Sequence, residues 1–419
     1  MRIAVIGSGI SGLGAAWLLS RNHEVHLFEK ESRLGGHTHT HTIQSSVGPL
    51  AIDTGFIVHN DRTYPNLIRL FDEIGVERLP SEMSWGVTTP GGSLEYSSRG
   101  LRGFFATPSR CVSLRHWRLL REILRFNREA ATLLSQGKAD SMMLGPFIEQ
   151  RGFSQDFRDF YLYPTAAAIW STPPRKILEF PAATLIRFFD NHGLLTVNGH
   201  PQWKVLRGAS SVYIEKLIRP LASRVYSSAP VVSLRRSPSS GVFLKIDGKE
   251  EMHFDQAVLA THGPQSLAIL SDASELEREV LSAFHVTSNE AVLHTDESLL
   301  PRRPAARASW NYLVHPDKAA PATLTYDMNR LQRLPTHERY LVTLNSTERI
   351  DPSRILRRLH YQHPLYNLAA VRAQARWQEI SGKNCVHFCG AYWGYGFHED
   401  GYRSALRVAQ SLGVPCEIL

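Results

Sequence analysis

Residues 1–42 read MRIAVIGSGISGLGAAWLLSRNHEVHLFEKESRLGGHTHTHT. Arg2–Ile6 is a short apolar run rich in β-branched residues, which predicts a strand buried on both faces. A Gly-Ser-Gly-Ile-Ser-Gly turn leads from it into an apolar helical run over 13–20. A second strand over 24–28 follows and ends on Glu29. This is the G-x-G-x-x-G pattern inside a βαβ unit, which predicts a dinucleotide site.

Each glycine of this turn has a separate physical role. The first allows the tight turn, the second lets a pyrophosphate approach the backbone, and the third lets helix and strand pack closely. The N-terminus of the helix faces the phosphate charge. Glu29 is placed to accept hydrogen bonds from the hydroxyls of the adenosine ribose. The residues of the turn predicted to bind are Gly7, Gly9, Ile10, Ser11 and Gly12.

The composition is typical of a soluble globular protein. The chain has 419 residues, of which 43% are hydrophobic and 21% charged. This length predicts two domains, intertwined or consecutive. The net charge of +8 favours acidic partners such as a dinucleotide, a carboxylate or an anionic lipid surface. We expect no nucleic-acid partner, because no dense Lys/Arg block and no zinc-finger spacing occurs.

The four cysteines form no C-x-x-C pair and no disulfide-like framework, which favours a reducing cytoplasm. They are Cys111, Cys385, Cys389 and Cys416. We expect no signal peptide, because the apolar residues at the start belong to the strand, turn and helix. No run of 18 apolar residues occurs, so we expect no membrane span.

A pair of glycines follows the ribose-binding acid within a few residues, in Lys30-Glu31-Ser32-Arg33-Leu34-Gly35-Gly36-His37-Thr38. The sequence resembles the FAD-binding fingerprint of the flavin amine oxidase, protoporphyrinogen oxidase and phytoene desaturase superfamily. There the pattern runs G-x-G-x-x-G, Glu, then G-G-R. His37 stands where that Arg usually lies, so the charge facing the phosphate is weaker or depends on pH.

His37, His39 and His41 alternate, so on a strand their side chains would lie on one face. His-x-His is a spacing found in metal sites. No nearby Asp, Glu or Cys completes a ligand set, and the run falls where the superfamily contacts flavin. We therefore expect no metal site.

The resemblance implies non-covalent FAD and further contacts along the chain. The segment after Asp53 would pass the isoalloxazine ring, and the loop 386–401 would pass under the ribityl chain and open a helix toward the flavin. Besides the residues of the G-x-G-x-x-G turn and Glu29, the implied contacts are Lys30, Gly35, Gly36, His37, Thr38, Thr54, Gly55, Phe56, Ile57, Val231, Ala260, Thr261, Gly390, Ala391, Phe397, His398, Glu399 and Asp400.

The implied fold class is α/β, with a discontinuous Rossmann-like FAD-binding domain of the GR2 type and an interleaved α+β substrate domain. The FAD-binding segments would be 1–66, 196–263 and 381–419. The substrate segments would be 67–195, the first part of a cap, and 264–380, whose sheet would floor the pocket.

Within the cap, 84–96 predicts a hairpin turning at Pro90-Gly91-Gly92. The run 100–134 predicts a basic amphipathic helix. Such a helix can lie on an anionic membrane, or present a solvated face above a core-facing stripe. Both interpretations stay open, so the predicted location is cytoplasmic with membrane-peripheral contact as one alternative. The aromatic run 145–177 predicts short helices broken at Pro164, Pro173 and Pro174.

Within the superfamily, the chain is similar to bacterial flavoproteins related to the N-terminal part of some cyclopropane-fatty-acyl synthases and to flavin-dependent fatty acyl desaturases. The similarity depends on GGHTHT (35–40), DTGFIVHN (53–60), YPNL (64–67) and FCGAYWGYGFHEDG (388–401). It implies lipid metabolism: hydride removal from a hydrophobic, fatty-acyl or lipid substrate, with proton loss from the neighbouring carbon. The candidate bases beside the flavin segments are His59, Tyr392 and His398.

Four other functions are open. A redox-neutral flavin isomerase would use the same cofactor, and a non-catalytic flavin-binding partner of a lipid methyltransferase would need no base. An NAD-dependent dehydrogenase is disfavoured by Gly35-Gly36 and by the C-terminal loop. Amine oxidases of the superfamily often place a Lys near the flavin, but Lys204 and Lys318 lie in no matching motif, which favours C–C desaturation. The sequence does not determine the oligomeric state.

Overall fold

The computed structural model describes residues 1–137, 139, 142–170, 174–196, 199–237, 241–317 and 320–419. Their strands are β1 (Arg2–Ile6), β2 (Glu24–Phe28), β3 (Thr40–Ser45), β4 (Gly48–Asp53), β5 (His59–Asn60), β6 (Arg78–Pro80), β7 (Trp85–Thr88), β8 (Glu95–Ser97), β9 (Trp203–Leu206), β10 (Val225–Tyr226), β11 (Val231–Arg236), β12 (Val242–Ile246), β13 (Met252–Phe254), β14 (Gln256–Leu259), β15 (His285–His294), β16 (Trp310–Leu313), β17 (Thr323–Asp327), β18 (Leu341–Leu344), β19 (Ile355–Leu365) and β20 (Val386–Phe388).

The α-helices of the described residues connect and cover these strands. They are α1 (Ile10–Leu19), α2 (Pro65–Glu73), α3 (Gly100–Phe104), α4 (Leu114–Ser135), α5 (Leu144–Gln150), α6 (Gln155–Phe157), α7 (Tyr163–Trp170), α8 (Pro174–Ile177), α9 (Ala182–Asn191), α10 (Val212–Ile218), α11 (Gly263–Ile269), α12 (Glu275–Ser282), α13 (Met328–Leu331), α14 (Leu368–Gln374), α15 (Trp377–Ile380) and α16 (His398–Ser411).

The first sheet is parallel and has the strand order β10-β2-β1-β14-β20. β1 and β2 have the predicted bounds. β14 lies inside the sheet, between β1 and β20. The carboxyl ends of parallel strands meet at one edge, so the loops after β1, β2, β14 and β20 gather there.

Helices cover both faces of this sheet. On one face α1 packs with α16, and Leu13 and Ala405 lie in the same buried cluster. On the other face Val280 of α12 packs with Ala4 and Leu259 of the sheet. A sheet covered on both faces needs apolar side chains on both sides of its strands, which explains the continuous apolar run of β1.

The second sheet has the strand order β19-β15-β18-β17-β16-β7-β8. The predicted hairpin over 84–96 is confirmed as the antiparallel pair β7 and β8. β15, β18 and β17 lie side by side in this sheet and come from the segment 264–380, which was predicted to supply a sheet. With the parallel sheet, this second sheet confirms the predicted α/β class and Rossmann-like architecture.

Aromatic side chains fill the interior of the helical cap. Phe126, Phe147, Phe157 and Phe189 are fully buried in one cluster. The predicted helix over 100–134 is interrupted, since α3 ends at Phe104 and α4 begins at Leu114. The interruption contains a short 3-10 turn, Pro108–Arg110, where proline removes a backbone donor.

The predicted break at Pro164 is wrong. The chain is helical from α6 through a π-helical turn, Arg158–Leu162, into α7, and Pro164 lies in the first turn of α7. A proline has no N–H to donate, and the widened turn before it lets the helix continue without that bond. Pro173 lies outside the described residues, and α8 begins at Pro174.

The division of the chain into five domain segments stays a prediction. α11, α12 and α14 fall mainly in the predicted substrate segment 264–380. They nevertheless pack on the parallel sheet, α14 through Ala370 and Ala373. These helices therefore support the parallel sheet. We call the edge of this sheet that carries the G-x-G-x-x-G turn the nucleotide end, after the ligand predicted there. Among the described residues, no helix combines the length and apolar character needed to cross a membrane.

We expect Gly12→Ala to lower the free energy of unfolding of the ligand-free protein by about 1–3 kcal/mol. A Cβ there would lie 1.8 Å from the carbonyl oxygen of Gly7, and backbone cannot rotate away. The measurement is thermal and urea unfolding of protein stripped of ligand. Gly9→Ala is the matched control, because a Cβ at Gly9 meets nothing within 4 Å. Equal stability of the two variants would contradict this account of the packing.

Candidate functional site

A cavity of about 1280 Å³ runs from the carboxyl edge of the parallel sheet to the second sheet and the cap. Pockets for one small ligand usually occupy about 300–1,000 Å³. The cavity therefore has room for an extended ligand and a second molecule beside it.

Most residues predicted to bind the cofactor line this cavity. They come from segments spread over the whole chain: Gly7, Gly9, Ile10, Ser11, Glu29, Lys30, Gly36, His37, Thr54, Gly55, Phe56, Ile57, Val231, Ala260, Thr261, Gly390, Ala391, Phe397 and His398. The fold thus brings the predicted segments to one place, while their contacts with a cofactor remain predictions.

Glu29 fixes the loops at the nucleotide end. The Oε2 of Glu29 accepts a hydrogen bond from the backbone N–H of Ser8 at 2.9 Å and another from the Ser8 hydroxyl at 2.6 Å. Its Oε1 accepts from the N–H of Glu31 at 3.0 Å. The Ser8 hydroxyl oxygen in turn accepts from the N–H of Gly35 at 3.1 Å. One carboxylate thereby joins the first glycine turn to the second.

The second glycine turn lies directly on the first. Gly36 has φ +57°, and a Cβ there would lie 3.0 Å from the Cα of Gly9. Gly55, which follows β4, is packed at least as closely: a Cβ there would lie 1.9 Å from the carbonyl oxygen of His37. The space beside Gly9 that faces the cavity stays open, so a ligand can reach the helix N-terminus.

Five predicted cofactor residues do not line the cavity and support it from behind: Gly12, Gly35, Thr38, Glu399 and Asp400. The two glycines allow the close packing of their turns. Thr38 has its hydroxyl 2.5 Å from the hydroxyl of Tyr213 and 2.9 Å from Nε2 of His398. Its role is therefore to hold the residues that do line the cavity.

Glu399 and Asp400, which were predicted to contact the cofactor, lie outside the cavity lining and make hydrogen bonds to backbone donors. Glu399 accepts from the side-chain amide of Asn66 at 2.6 Å and from the N–H of Leu67 at 2.9 Å, so it caps α2. Asp400 accepts from the N–H of Phe397 at 3.1 Å. Both carboxylates satisfy backbone donors at helix starts and fix the loop before α16.

The prediction of His59 as a base is not supported, because its side chain does not reach the cavity. β5 pairs with β9, and the imidazole is fully buried, with its ring centroid 5.3 Å from that of Phe71. Burial lowers its pKa to about 4, so the ring is neutral. His59 is a packing residue behind Phe56.

His398 and Tyr392 do line the cavity. His398 begins α16 and stacks on Phe56, with the ring centroids 3.7 Å apart. Burial keeps the pKa of His398 well below its ordinary value, so its imidazole is neutral. Burial raises the pKa of Tyr392, so its phenol stays protonated and is a hydrogen-bond donor at neutral pH.

Three more imidazoles meet at the cavity wall. The ring centroid of His37 lies 6.0 Å from that of His262 and 5.5 Å from that of His363. Burial lowers the pKa of His262 to about 4 and that of His363 to about 3. It lowers the pKa of His37 as well, and the Nε2 of His37 is buried with no hydrogen-bond partner among the described residues. These three imidazoles are therefore uncharged.

The far end of the cavity is mainly aromatic and aliphatic. Its described lining includes Met83, Trp85, Ile169, Trp170, Phe188, Leu194, Trp203, Trp310, Tyr312, Leu324, Tyr326 and Leu344. The acidic side chains of the described lining are Glu29 and Glu31, both at the nucleotide end. Lys204 lies outside the lining, with its Nζ 2.8 Å from Asp61, and Lys318 lies outside the described residues.

Sequence reasoning missed the contribution of β19. Tyr361 and His363 reach the cavity from this strand, and Tyr366 follows it. The Tyr366 hydroxyl is buried with no partner among the described residues, and a Cβ at Gly396 would lie 2.5 Å from it. The alternation of Leu359, Tyr361 and His363 was a signal for a strand with one buried face.

Among the described residues, no group of three or more His, Cys, Asp or Glu side chains is arranged to hold a metal ion. The alternating run does not converge with carboxylates. His39 and His41 contact each other, with ring centroids 4.1 Å apart. His41 lies in β3 and pairs with Ile52 of β4, while the carbonyl of His39, just before the strand, accepts from the N–H of Thr54 at 2.9 Å.

We expect the ligand-free protein to lose stability as the pH falls from about 7 to about 5. In the folded protein His262 and His363 have pKa values of about 3–4, below the ordinary 6.5 of the unfolded chain. Between these values the unfolded chain binds protons that the folded protein does not. The stabilisation is therefore complete above pH 6.5 and is lost as the pH falls toward 3–4. One such histidine accounts for about 2 kcal/mol by pH 5. His363→Gln should flatten the dependence of unfolding free energy on pH, while His285→Gln, at an exposed position, should not. Equal slopes for both variants would contradict the assignment.

Known structures share this fold over nearly the whole chain. Putrescine oxidase bound to putrescine has a TM-score of 0.70 and 16% identity, covering 98% of this chain and 99% of that one. Cyclohexylamine oxidase from Brevibacterium oxydans IH-35A has a TM-score of 0.69 and 16% identity, with coverage of 98% and 99%. The CLA-producing fatty acid isomerase from P. acnes has a TM-score of 0.70 and 14% identity, with coverage of 99% for each chain.

At these identities the likeness shows the fold alone. No curated protein matches the sequence at a significant level. The family model described as flavin containing amine oxidoreductase matches residues 10–412. Because this match spans nearly the whole sequence, the chain belongs to the family of flavin containing amine oxidoreductases.

Proposed function

We propose that this protein is an FAD-dependent oxidoreductase that acts on an uncharged hydrophobic substrate, with a fatty acyl chain as the substrate class. The observation that carries this is the far end of the cavity, where the described lining has no carboxylate to balance a cationic substrate. Placing an alkylammonium ion in such a site costs free energy unless a counter-charge accompanies it. An acyl chain meets no such penalty and gains from burial of its CH₂ groups.

Several features support FAD as the cofactor. Two helix N-termini, those of α1 and α16, begin at the cavity, and each favours negative charge or partial negative charge. Gly9 leaves open backbone for a pyrophosphate, and Glu29 lies where ribose hydroxyls would reach it. Tyr366 presents a buried hydroxyl that needs an acceptor. The described lining includes no cysteine to which a flavin could be linked.

When bound, FAD would accept a hydride from a substrate carbon. The residues of this chain would bind the acyl chain among the aromatic rings and exclude water from it. Of the predicted bases we retain His398, because it lines the cavity and its Nε2 lies 2.9 Å from the Thr38 hydroxyl. The burial that keeps its imidazole neutral also makes it a weak proton acceptor. Tyr392, protonated at neutral pH, would serve as a donor.

Amine oxidation is a second candidate. The family has amine oxidoreduction in its description, and Trp85, Trp170 and Trp310 line the far end of the cavity. Aromatic faces attract cations and can replace part of a missing counter-charge. A test of function must therefore compare acyl and amine substrates directly.

We expect the purified protein to be yellow and to release FAD when it is denatured. Gly9→Ala should weaken FAD binding by at least about tenfold, because its Cβ would occupy the space that a pyrophosphate needs. Titration of the stripped protein, followed by quenching of flavin fluorescence, measures the affinity. Val232→Ala is a control at an exposed residue on the rim of the same cavity. Release of FMN or no flavin would overturn the assignment.

We expect medium- or long-chain fatty acyl compounds to bleach the flavin absorbance when mixed with the protein without oxygen. Bleaching occurs because hydride removal from the substrate leaves the flavin reduced when no acceptor is present. Putrescine and cyclohexylamine are the amine probes, and product analysis detects a new double bond. Bleaching by the amines and not by the acyl compounds would contradict the proposed acyl substrate and indicate an amine substrate. A rearranged acyl product with no bleaching would indicate an isomerase.

A further inference from the structure

The outer surface of α3, the connection 105–113 and the first half of α4 combines exposed apolar side chains with arginines. We call residues 99–128 the basic apolar face. Of the ten large hydrophobic side chains that are exposed among the described residues, five lie here: Leu101, Val112, Leu114, Trp117 and Leu124. Val112 is 85% and Leu114 is 86% exposed. The other five are spread over separate parts of the chain.

The exposed residues of α4 follow one stripe of the helix. Leu114, Trp117, Arg121, Leu124 and Arg128 recur at spacings of three and four, and all are exposed. The opposite side is buried in the cap through His116, Leu119, Phe126, Ala130 and Leu133. One side of the helix packs on the core, and the other side exposes Leu and Trp side chains to solvent. A helix face that only contacts water has no need of large apolar side chains.

Exposed charge on the basic apolar face is positive. Arg102, Arg115, Arg118, Arg121 and Arg128 are exposed. The acidic residues of α4 are turned away. Glu122 accepts from the N–H of Ser154 at 3.0 Å, and Glu129 lies within 4 Å of Arg125 and Arg151. Asp156 is paired with Arg115, and its side chain is 12% exposed.

The segment before α4 is held in place by specific contacts. The indole N–H of Trp117 donates to the carbonyl of Cys111 at 2.8 Å, and the ring centroids of Phe105 and Trp117 lie 4.7 Å apart. Arg110 donates to the carbonyl of Ser93 at 2.9 Å. The exposed Val112 and Leu114 thus project from a packed surface, not from a loose end.

The basic apolar face adjoins an opening of the cavity. Ser98 is exposed and lines the cavity, and Trp85 lies beside it because the N–H of Ser98 donates to the Trp85 carbonyl at 2.8 Å. α3 begins two residues later, at Gly100. A hydrophobic molecule held at this face would lie next to a route into the aromatic end of the cavity.

We propose that the basic apolar face docks on the surface of an anionic lipid bilayer. Arginines pair with anionic head groups, while Leu and Trp side chains enter the boundary between head groups and acyl chains. A bilayer interface offers anionic head groups and apolar chains together, which matches both the arginines and the protruding Val112, Leu114 and Leu124. The proposal does not depend on the proposed reaction, although a bilayer would be the natural source of an acyl substrate.

Cosedimentation of the flavin-loaded full-length protein with vesicles tests the proposal. We expect binding to vesicles of phosphatidylcholine with about one third phosphatidylglycerol, and weak binding to pure phosphatidylcholine. Arg118→Glu with Arg121→Glu should lower the partition coefficient on anionic vesicles by at least about tenfold. Leu114→Asn, which leaves the charge unchanged, should lower it severalfold, and higher salt should weaken binding of the unaltered protein.

Matched controls are Arg278→Glu with Arg372→Glu, two exposed arginines away from this face that give the same change in net charge, and Val47→Asn at an exposed valine. Thermal unfolding and flavin absorbance show that each variant is folded, and neither readout depends on turnover. Equal vesicle binding by the face variants and the controls would overturn the proposal. So would capture of the protein by polyglutamate with no binding to anionic vesicles, which would indicate an acidic protein partner. Loss of activity on acyl substrates with intact vesicle binding would affect only the proposed function.

Discussion

The close contact between α1 and α16 determines what the cavity can bind. A Cβ at Gly14 would lie 2.7 Å from Tyr402, and one at Gly401 would lie 2.7 Å from Ile10. Small residues at these positions let two helices, one from each end of the chain, lie side by side and run in the same direction. Their N-termini therefore reach the same cavity. Each helix start brings unpaired N–H groups and a partial positive charge, and together they favour an extended anionic ligand.

The rest of the nucleotide end keeps this arrangement in place with few formal charges. Glu29 joins the two glycine turns, and Glu399 and Asp400 satisfy helix starts behind the cavity wall. Burial keeps the imidazoles of the wall neutral. Lys30 and Arg33 are the cationic side chains of the described lining, so much of the attraction for a phosphate comes from the backbone.

The aromatic end of the cavity is built from a different sheet and from the cap, and it decides the substrate. A parallel sheet with helices on both faces hosts many chemistries, so the fold does not identify the reaction. The features that do bear on it are the rings of Trp85, Trp170 and Trp310 and the position of every lining carboxylate at the nucleotide end. This separation gives the cavity one end suited to a charged ligand and another end suited to apolar groups.

The sequence by itself determined the βαβ unit, the glycine turns and the β7–β8 hairpin, through local causes such as β-branched runs and glycine where no Cβ fits. The other segments that surround the cavity were indicated by the resemblance to a known superfamily. Only the tertiary structure decided which side chains face the ligand. His59 follows Phe56 by three residues, yet Phe56 lines the cavity and His59 does not, and Glu399 caps a helix more than 300 residues earlier. β19 likewise supplies Tyr361 and His363 through pairing with β15. The direction of a side chain depends on partners distant in sequence, and no local pattern contains that information.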